Sequence, residues 1–231
     1  TGLAMFSMFF GSGNLVFPLL VGQMSEGHYL LAALGIILTG VFVPFLGILA
    51  MLFFKGKTEE LFSLLGKYAP FWLSLLCLSI MGPFGVLARC ITVAHGAFQL
   101  ILPATNLWAF SLTGCAVIFL LSLKKNRIVP MLGSILTPFL LASLAAIALF
   151  GVYYTNLPAA SEAGGWTSLK TGIFQGYQTM DLLAAFFFST FIIRHLEKQD
   201  PDTDPAHTIS IFFRASLVGA GLLSFIYGIL V

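Results

Sequence analysis

Residues 2–21 read GLAMFSMFFGSGNLVFPLLV, an apolar block with Gly11-Ser12-Gly13-Asn14, and then Pro18, set into it. A helix needs about 20 mainly apolar residues to cross the hydrocarbon core of a bilayer, so the block is long enough to span. The polar stretch begins about ten residues in, which at ~1.5 Å per residue lies near mid-depth. Helix is weakest there. Each glycine costs about 1 kcal/mol of helix propensity, Ser12 and Asn14 compete for backbone hydrogen bonds, and Pro18 lacks an N–H. The stretch predicts a spanning helix that unwinds from Gly11 to Asn14 and restarts near Leu15.

Unwound backbone is tolerated inside a membrane only when it is buried in protein or lines a cavity. A restarted helix points free N–H groups and a positive dipole end at mid-depth, and the first half leaves free carbonyls near Phe9 and Phe10. Such amides can hold a carboxylate, and such carbonyls a cation. Small residues at this spacing also let two helix backbones approach closely, so the glycines alone fit packing as well as a site. Asn14 and Pro18 beside them favour a site.

Outward from this block the pattern repeats. Six further apolar blocks run over Tyr29 to Phe54, Phe71 to Leu102, Leu107 to Leu123, Val129 to Tyr154, Thr171 to Ile193 and Ile209 to Val231. Of the 231 residues 58% are hydrophobic and 9% charged, where a soluble domain carries charge on about a quarter. Helices apolar on all sides belong in lipid, so the predicted class is an all-α, polytopic membrane bundle of about seven spans. No basic segment precedes the first block, which favours a spanning helix over a signal peptide. The chain opens on Thr1 and stops at Val231 inside an apolar run, and it reads as part of a longer polypeptide.

The net charge of +2, without a basic stripe, gives no footprint for nucleic acid. Cys77, Cys90 and Cys115 are far apart and each lies in an apolar block, so packing is expected of them rather than a disulfide or a metal site. The connecting segments divide sharply by charge. Lys55, Lys57, Lys67, Lys124, Lys125, Arg127, Arg194, Lys198 and Arg214 fall on one side and Lys170 on the other. The positive-inside rule then places the N-terminus in the cytoplasm and the end of the seventh span outside. Trp108, Tyr153, Tyr154 and Trp166 fall near the outer ends, where amphipathic rings usually sit.

The sixth span carries Gln175-Gly176-Tyr177-Gln178-Thr179-Met180-Asp181 between apolar flanks. A carboxylate at the centre of a spanning helix costs about 2.5 to 3.5 kcal/mol on insertion scales, so Asp181 needs compensation. Thr179 could cap a second half-helix with Asp181 in its first turn, unless the span starts later and Asp181 sits at the interface. Tyr177, Gln178 and Thr179 offer oxygens to a hard cation or an ammonium group. Two broken helices five spans apart match an inverted-repeat pattern.

The third span holds Gly82-Pro83, which should kink or loosen it, and then Arg89. A buried guanidinium needs a partner: either Asp181, directly or through water, or the interface by snorkelling outward. His95 on the same span reads as a satisfied core histidine rather than a proton relay. Asp200, Asp202 and Asp204 alternate as in a calcium loop, but Pro201 and Pro205 interrupt them, and a solvated loop is expected.

The run Phe6 to Pro18, together with Gly176 to Asp181 and with Gly82-Pro83 followed by Arg89, resembles bacterial branched-chain amino-acid:cation symporters over essentially the whole chain. One departure is Pro83-Phe84-Gly85-Val86-Leu87-Ala88-Arg89-Cys90, which lacks a second proline before the arginine. The resemblance implies a transporter of the amino acid/polyamine/organocation type, with two five-helix inverted repeats. Residues 1–154 would form the first repeat, 155–170 an external loop, and 171–231 the first two helices of the second. It implies substrate contacts at Gly11, Ser12, Gly13 and Asn14, opposite Gly176, Tyr177, Gln178 and Thr179. Phe10, Asn14, Thr179 and Asp181 would hold the coupling cation, with Na+ the one metal ion expected. An eighth helix, which in this fold type helps form a cation site, lies outside the chain.

The expected function is symport of leucine, isoleucine or valine with Na+ or H+ by alternating access, in the cytoplasmic membrane and without an organic cofactor. Another small neutral amino acid is an alternative substrate. An integral-membrane enzyme using Asp181, His95 and Arg89 is disfavoured for want of a nucleophile–base pair or metal motif. A channel is disfavoured because the polar residues gather at two breaks rather than along a pore.

Overall fold

The computed structural model describes residues 6, 9–25, 27–123, 137–154, 164–199 and 205–231. Among them all regular structure is helical. Phe6 and Phe9 are helical, Phe10 and Gly11 are not, and α1 runs over Ser12–Met24. α2 is Tyr29–Phe53, α3 Thr58–Ser63, α4 Ala69–Met81, α5 Val86–Gln99 and α6 Leu107–Ser122. α7 is Thr137–Tyr154, α8 Gly165–Gln178, α9 Asp181–Gln199 and α10 Pro205–Leu230.

Among the described residues four stretches are long and apolar enough to cross a membrane: Tyr29–Phe53, Ala69–Gln99, Gly165–Ile193 and Ile209–Leu230. Shorter apolar helices cover Leu107–Ser122 and Thr137–Gly151. α6 buries none of its residues, and Trp108, Leu112 and Phe119 on it are exposed, a surface suited to lipid rather than water. The chain is a multi-pass membrane protein.

Several boundaries differ from expectation. The sixth span begins at Gly165, not Thr171, so Lys170 lies on a helix. The segment after α2 contains α3, which Glu59 and Glu60 favour by placing negative charge at its positive end. Residues 124–136, with Lys124, Lys125 and Arg127, and residues 200–204, with Asp200, Asp202 and Asp204, lie outside the described residues, as does the loop over 155–163.

Small residues set the central packing. α2 lies along both halves of the sixth span, α8 first and then α9. A Cβ at Gly35 would meet the Leu169 carbonyl, and one at Gly172 would meet the Ala32 carbonyl. Contact this close is possible only without side chains, and it brings polar groups within reach of the opposite backbone. The Thr39 hydroxyl donates to the Ile173 carbonyl at 2.8 Å, and Ser168 to the Ser25 carbonyl at 3.1 Å. Farther along, Gly47 packs on Leu182 and Ala185, and the Thr190 hydroxyl donates to the Gly56 carbonyl at 2.7 Å. Within α2, Leu38–Phe42 widens into a π-turn just before Pro44. Pro44 has no N–H and its ring would crowd the Gly40 carbonyl one turn back, which accounts for the widening.

Candidate functional site

Gly11 breaks the first helix in an extended conformation, φ −103° and ψ −174°, and α1 opens at Ser12 rather than near Leu15. The shift has a local cause. The Asn14 side-chain oxygen accepts from the Gly11 N–H at 3.1 Å, so Asn14 caps the first turn instead of melting it. Pro18 inside α1 offers no N–H to the Asn14 carbonyl. Phe10 is buried, with its ring 5.3 Å from that of Phe6, in the apolar cluster that includes Phe17 and Tyr227.

The sixth span breaks at Thr179 and Met180, roughly halfway along the 29-residue stretch Gly165–Ile193. Met180 has φ +61°, the left-handed region, and there the backbone turns between α8 and α9. Thr179 closes α8, its hydroxyl donating to the Gly176 carbonyl at 2.8 Å, and does not cap the following helix. The Met180 carbonyl accepts the first amide bonds of α9, and Asp181 lies in the first turn of that helix.

The two breaks meet. Asn14 donates one amide hydrogen to the Asp181 carboxylate at 2.5 Å and the other to the Tyr227 hydroxyl at 2.7 Å. The Tyr227 hydroxyl, which accepts from Asn14, lies beside the same carboxylate, and so does the Thr179 side chain. Asn14, Thr179, Asp181 and Tyr227 are all buried. The carboxylate therefore has a donor from α1 and polar side chains of the break and of α10 beside it, the compensation that a buried charge requires. Tyr227 is absent from the sequence expectation, because a lone tyrosine near the end of an apolar run reads as an interface anchor.

Arg89 makes no direct ion pair with Asp181, although its charge acts on that carboxylate, and its hydrogen bonds go to backbone. Nη1 donates to the Gln178 carbonyl at 2.6 Å and Nη2 to the Thr179 carbonyl at 3.4 Å, both freed by the end of α8. Its guanidinium also stacks over Phe17, 4.9 Å from the ring centre. Among the described residues the one ion pair is Lys57–Glu60, at 2.6 Å on the surface. Arg89 reaches this position because the third span opens fully at Gly82–Gly85 between α4 and α5 instead of merely kinking. Next to it, the Ser12 hydroxyl lies 3.1 Å from the Cys90 sulfur.

The remaining expected residues separate. Gly11, Tyr177 and Gln178 are exposed and Ser12 half-buried, on the open side of the breaks, and Gly13 is buried against Arg89. Gly176 lies elsewhere: a Cβ on it would meet Thr39 and the Gly40 amide of α2, which makes it a packing position. His95 is buried, its Nε2 3.1 Å from the Thr105 carbonyl and its ring edge-on to Phe110, as expected of a satisfied core histidine. All three cysteines are free, but Cys115 is exposed rather than packed.

The comparisons with known proteins agree with one another. The family model described as "Branched-chain amino acid transport protein" matches residues 1–231. The branched-chain amino acid permease BrnQ of Lactobacillus delbrueckii subsp. lactis is 31% identical over 97% of this chain and 53% of its own length. BrnQ of Haemophilus influenzae is 32% identical over 96% of this chain and 53% of its own. The branched-chain amino acid transport system 3 carrier protein of Pseudomonas aeruginosa is 28% identical over 96% of this chain and 52% of its own. The chain spans about half the length of the curated relatives it matches, and no solved structure matches it. With the matched profile running from the first residue to the last and both helix breaks inside it, the chain belongs to the branched-chain amino acid transport protein family.

Proposed function

We propose that this chain forms the part of a secondary carrier that holds a branched-chain amino acid and its coupling cation, Na+ or H+, at two broken helices. The observation that carries the reading is the bond from Asn14 to Asp181, which joins the two breaks inside the bundle. Intramembrane charge with unwound backbone beside it is the arrangement expected of a solute site. The substrate lies on the open side, at Gly11, Ser12, Gly13, Tyr177 and Gln178. The cation lies behind it, at Phe10, Asn14, Thr179 and Asp181. Tyr227 joins this second group.

On this reading residues 1–154 are the first of two inverted five-helix repeats, and the chain crosses the cytoplasmic membrane seven times from a cytoplasmic N-terminus. Leucine, isoleucine and valine differ by methyl and methylene placement, worth only about 1 to 3 kcal/mol per methylene, so one apolar pocket admits all three. The test is uptake of labelled leucine by proteoliposomes carrying the full-length protein, under an imposed Na+ or H+ gradient. Saturable, gradient-driven uptake is expected, with valine and isoleucine competing. No uptake of any aliphatic amino acid under either gradient overturns the proposal.

A further inference from the structure

Arg89 is held in an unusual way for a cation in a membrane interior. Its charge faces backbone carbonyls, Gln178 and Thr179, and no carboxylate lies within ion-pairing distance of it among the described residues. A guanidinium carries five N–H donors in a fixed fork. Here Nη1 makes a short bond and Nη2 a long one, while Nε is buried with no acceptor at all. A buried donor left unmade costs free energy that an incoming acceptor restores.

The surroundings select the kind of acceptor. Nη2 lies against Gly13 in the first turn of α1, so close that a Cβ there would stand 2.8 Å from it. Nη2 of Arg89 therefore lies against the first turn of α1, and both the guanidinium and the amides that open that helix favour negative charge. Phe17 supports the face of the guanidinium and fixes its plane. The Gln178 and Thr179 carbonyls, at the negative end of α8, are acceptors that suit a cation. Positive and negative poles thus lie side by side, at the spacing of one guanidinium.

We propose that Arg89 binds the carboxylate of the amino-acid substrate, and that it yields the Gln178 and Thr179 carbonyls to the substrate's ammonium group. Arg89 occupies in this structure the place that the ammonium takes. A zwitterion satisfies both poles, whereas a solute with one charge leaves the other pole unmatched. The inference rests on the carrier reading above and deepens it, since it makes the α-amino acid zwitterion, rather than the side chain, the main determinant of selection.

The test uses the purified full-length protein with L-leucine and L-leucinamide, which keeps the ammonium and side chain but lacks the carboxylate. The readout is the ligand concentration that gives half-maximal protection against thermal unfolding. Wild-type protein is expected to prefer leucine by about 30-fold or more, the value of a charge-assisted hydrogen-bonded pair. R89Q should lose that factor for leucine and little for leucinamide, so that the ratio falls to within about threefold. R89K, which keeps the charge without the fork, should fall between the two, and it decides the matter by the same ratio should R89Q fail to fold. An unchanged leucine-to-leucinamide ratio in these variants, with both affinities reduced alike, makes Arg89 a structural clamp on α8 and overturns the inference while sparing the carrier. Absence of protection by leucine in the wild-type protein overturns the carrier reading itself.

Discussion

Replacing Asn14 with alanine removes three hydrogen bonds with one change, and the structure allows its cost to be worked out. The amide donates to Asp181 and to Tyr227 across helix boundaries, and its oxygen caps Gly11 locally. In a soluble core the donor to a carboxylate alone would be worth about 1.5 to 3 kcal/mol. Interhelical bonds in membranes average ~0.6 kcal/mol and reach ~1.7, because separated helices find other partners in the bilayer. The bond to a buried charge belongs at the upper figure and the bond to a hydroxyl at the average. A cap adds about 0.5 to 1 kcal/mol, which brings the total to about 3 kcal/mol.

The assay is reversible unfolding of the full-length protein in mixed micelles, with N14A, Y227F and the double variant completing a cycle. The expected coupling between Asn14 and Tyr227 is about 0.6 kcal/mol, and N14D, which sets a second carboxylate against Asp181, should destabilise more than N14A at neutral pH. A cost for N14A below about 1 kcal/mol, with no coupling in the cycle, would refute the argument that this side chain joins the two breaks.

Other consequences are local. G172A drives a Cβ into backbone of α2, with the Ile36 amide at 2.9 Å and the Gly35 Cα at 3.1 Å, so thermal unfolding should register a loss of at least about 2 kcal/mol. G114A is its control, because nothing lies within 4 Å of that Cβ, and it should be neutral or stabilising by up to about 1 kcal/mol in the same assay. M180G should gain about 1 kcal/mol by relieving a left-handed backbone, whereas M180V should lose stability. In a background of C77A and C115A, the thiol of S12C should form a disulfide with Cys90, and oxidation should stop leucine uptake until a reductant restores it. Uptake at full rate in the cross-linked protein would argue against relative movement of α1 and α5.

Both breaks were legible in the sequence because their causes are local. Two glycines, an asparagine and a proline weaken a helix wherever it lies, and a carboxylate inside an apolar run demands compensation in any fold. Details of polarity were harder to read. Asn14 could equally melt the turn or cap it, and only the position of Gly11 decides between them. Thr179 fits an N-cap by its place in the sequence, but the left-handed turn at Met180 moves the start of the next helix one residue on. Gly176 shows the limit of motif reading, since its neighbours in sequence point to a site while its neighbours in space are Thr39 and Gly40. Tyr227 and the carbonyl partners of Arg89 are tertiary facts, and nothing in their flanking residues encodes them.

The same contacts bear on which surfaces can slide in a carrier of this kind. Asn14 of α1, Asp181 of α9 and Tyr227 of α10 share one buried network, and Gly40 of α2 packs on the Tyr227 ring. α2 is joined to α8 by the Thr39–Ile173 bond, and the turn that follows α2 is joined to α9 by Thr190–Gly56. Separating any of these helices would strand a buried polar group or open a glycine-tight backbone contact, both costly where no water reaches. α5 is attached differently. Among the described residues its polar links to the group are Arg89, with one short and one long bond to carbonyls and a charge attraction to Asp181, and the weak Ser12–Cys90 contact. On the carrier reading, a motion that keeps the network intact and exchanges the Arg89 bonds for bonds to a solute loses least, which would couple solute binding and helix movement at the seam along α5.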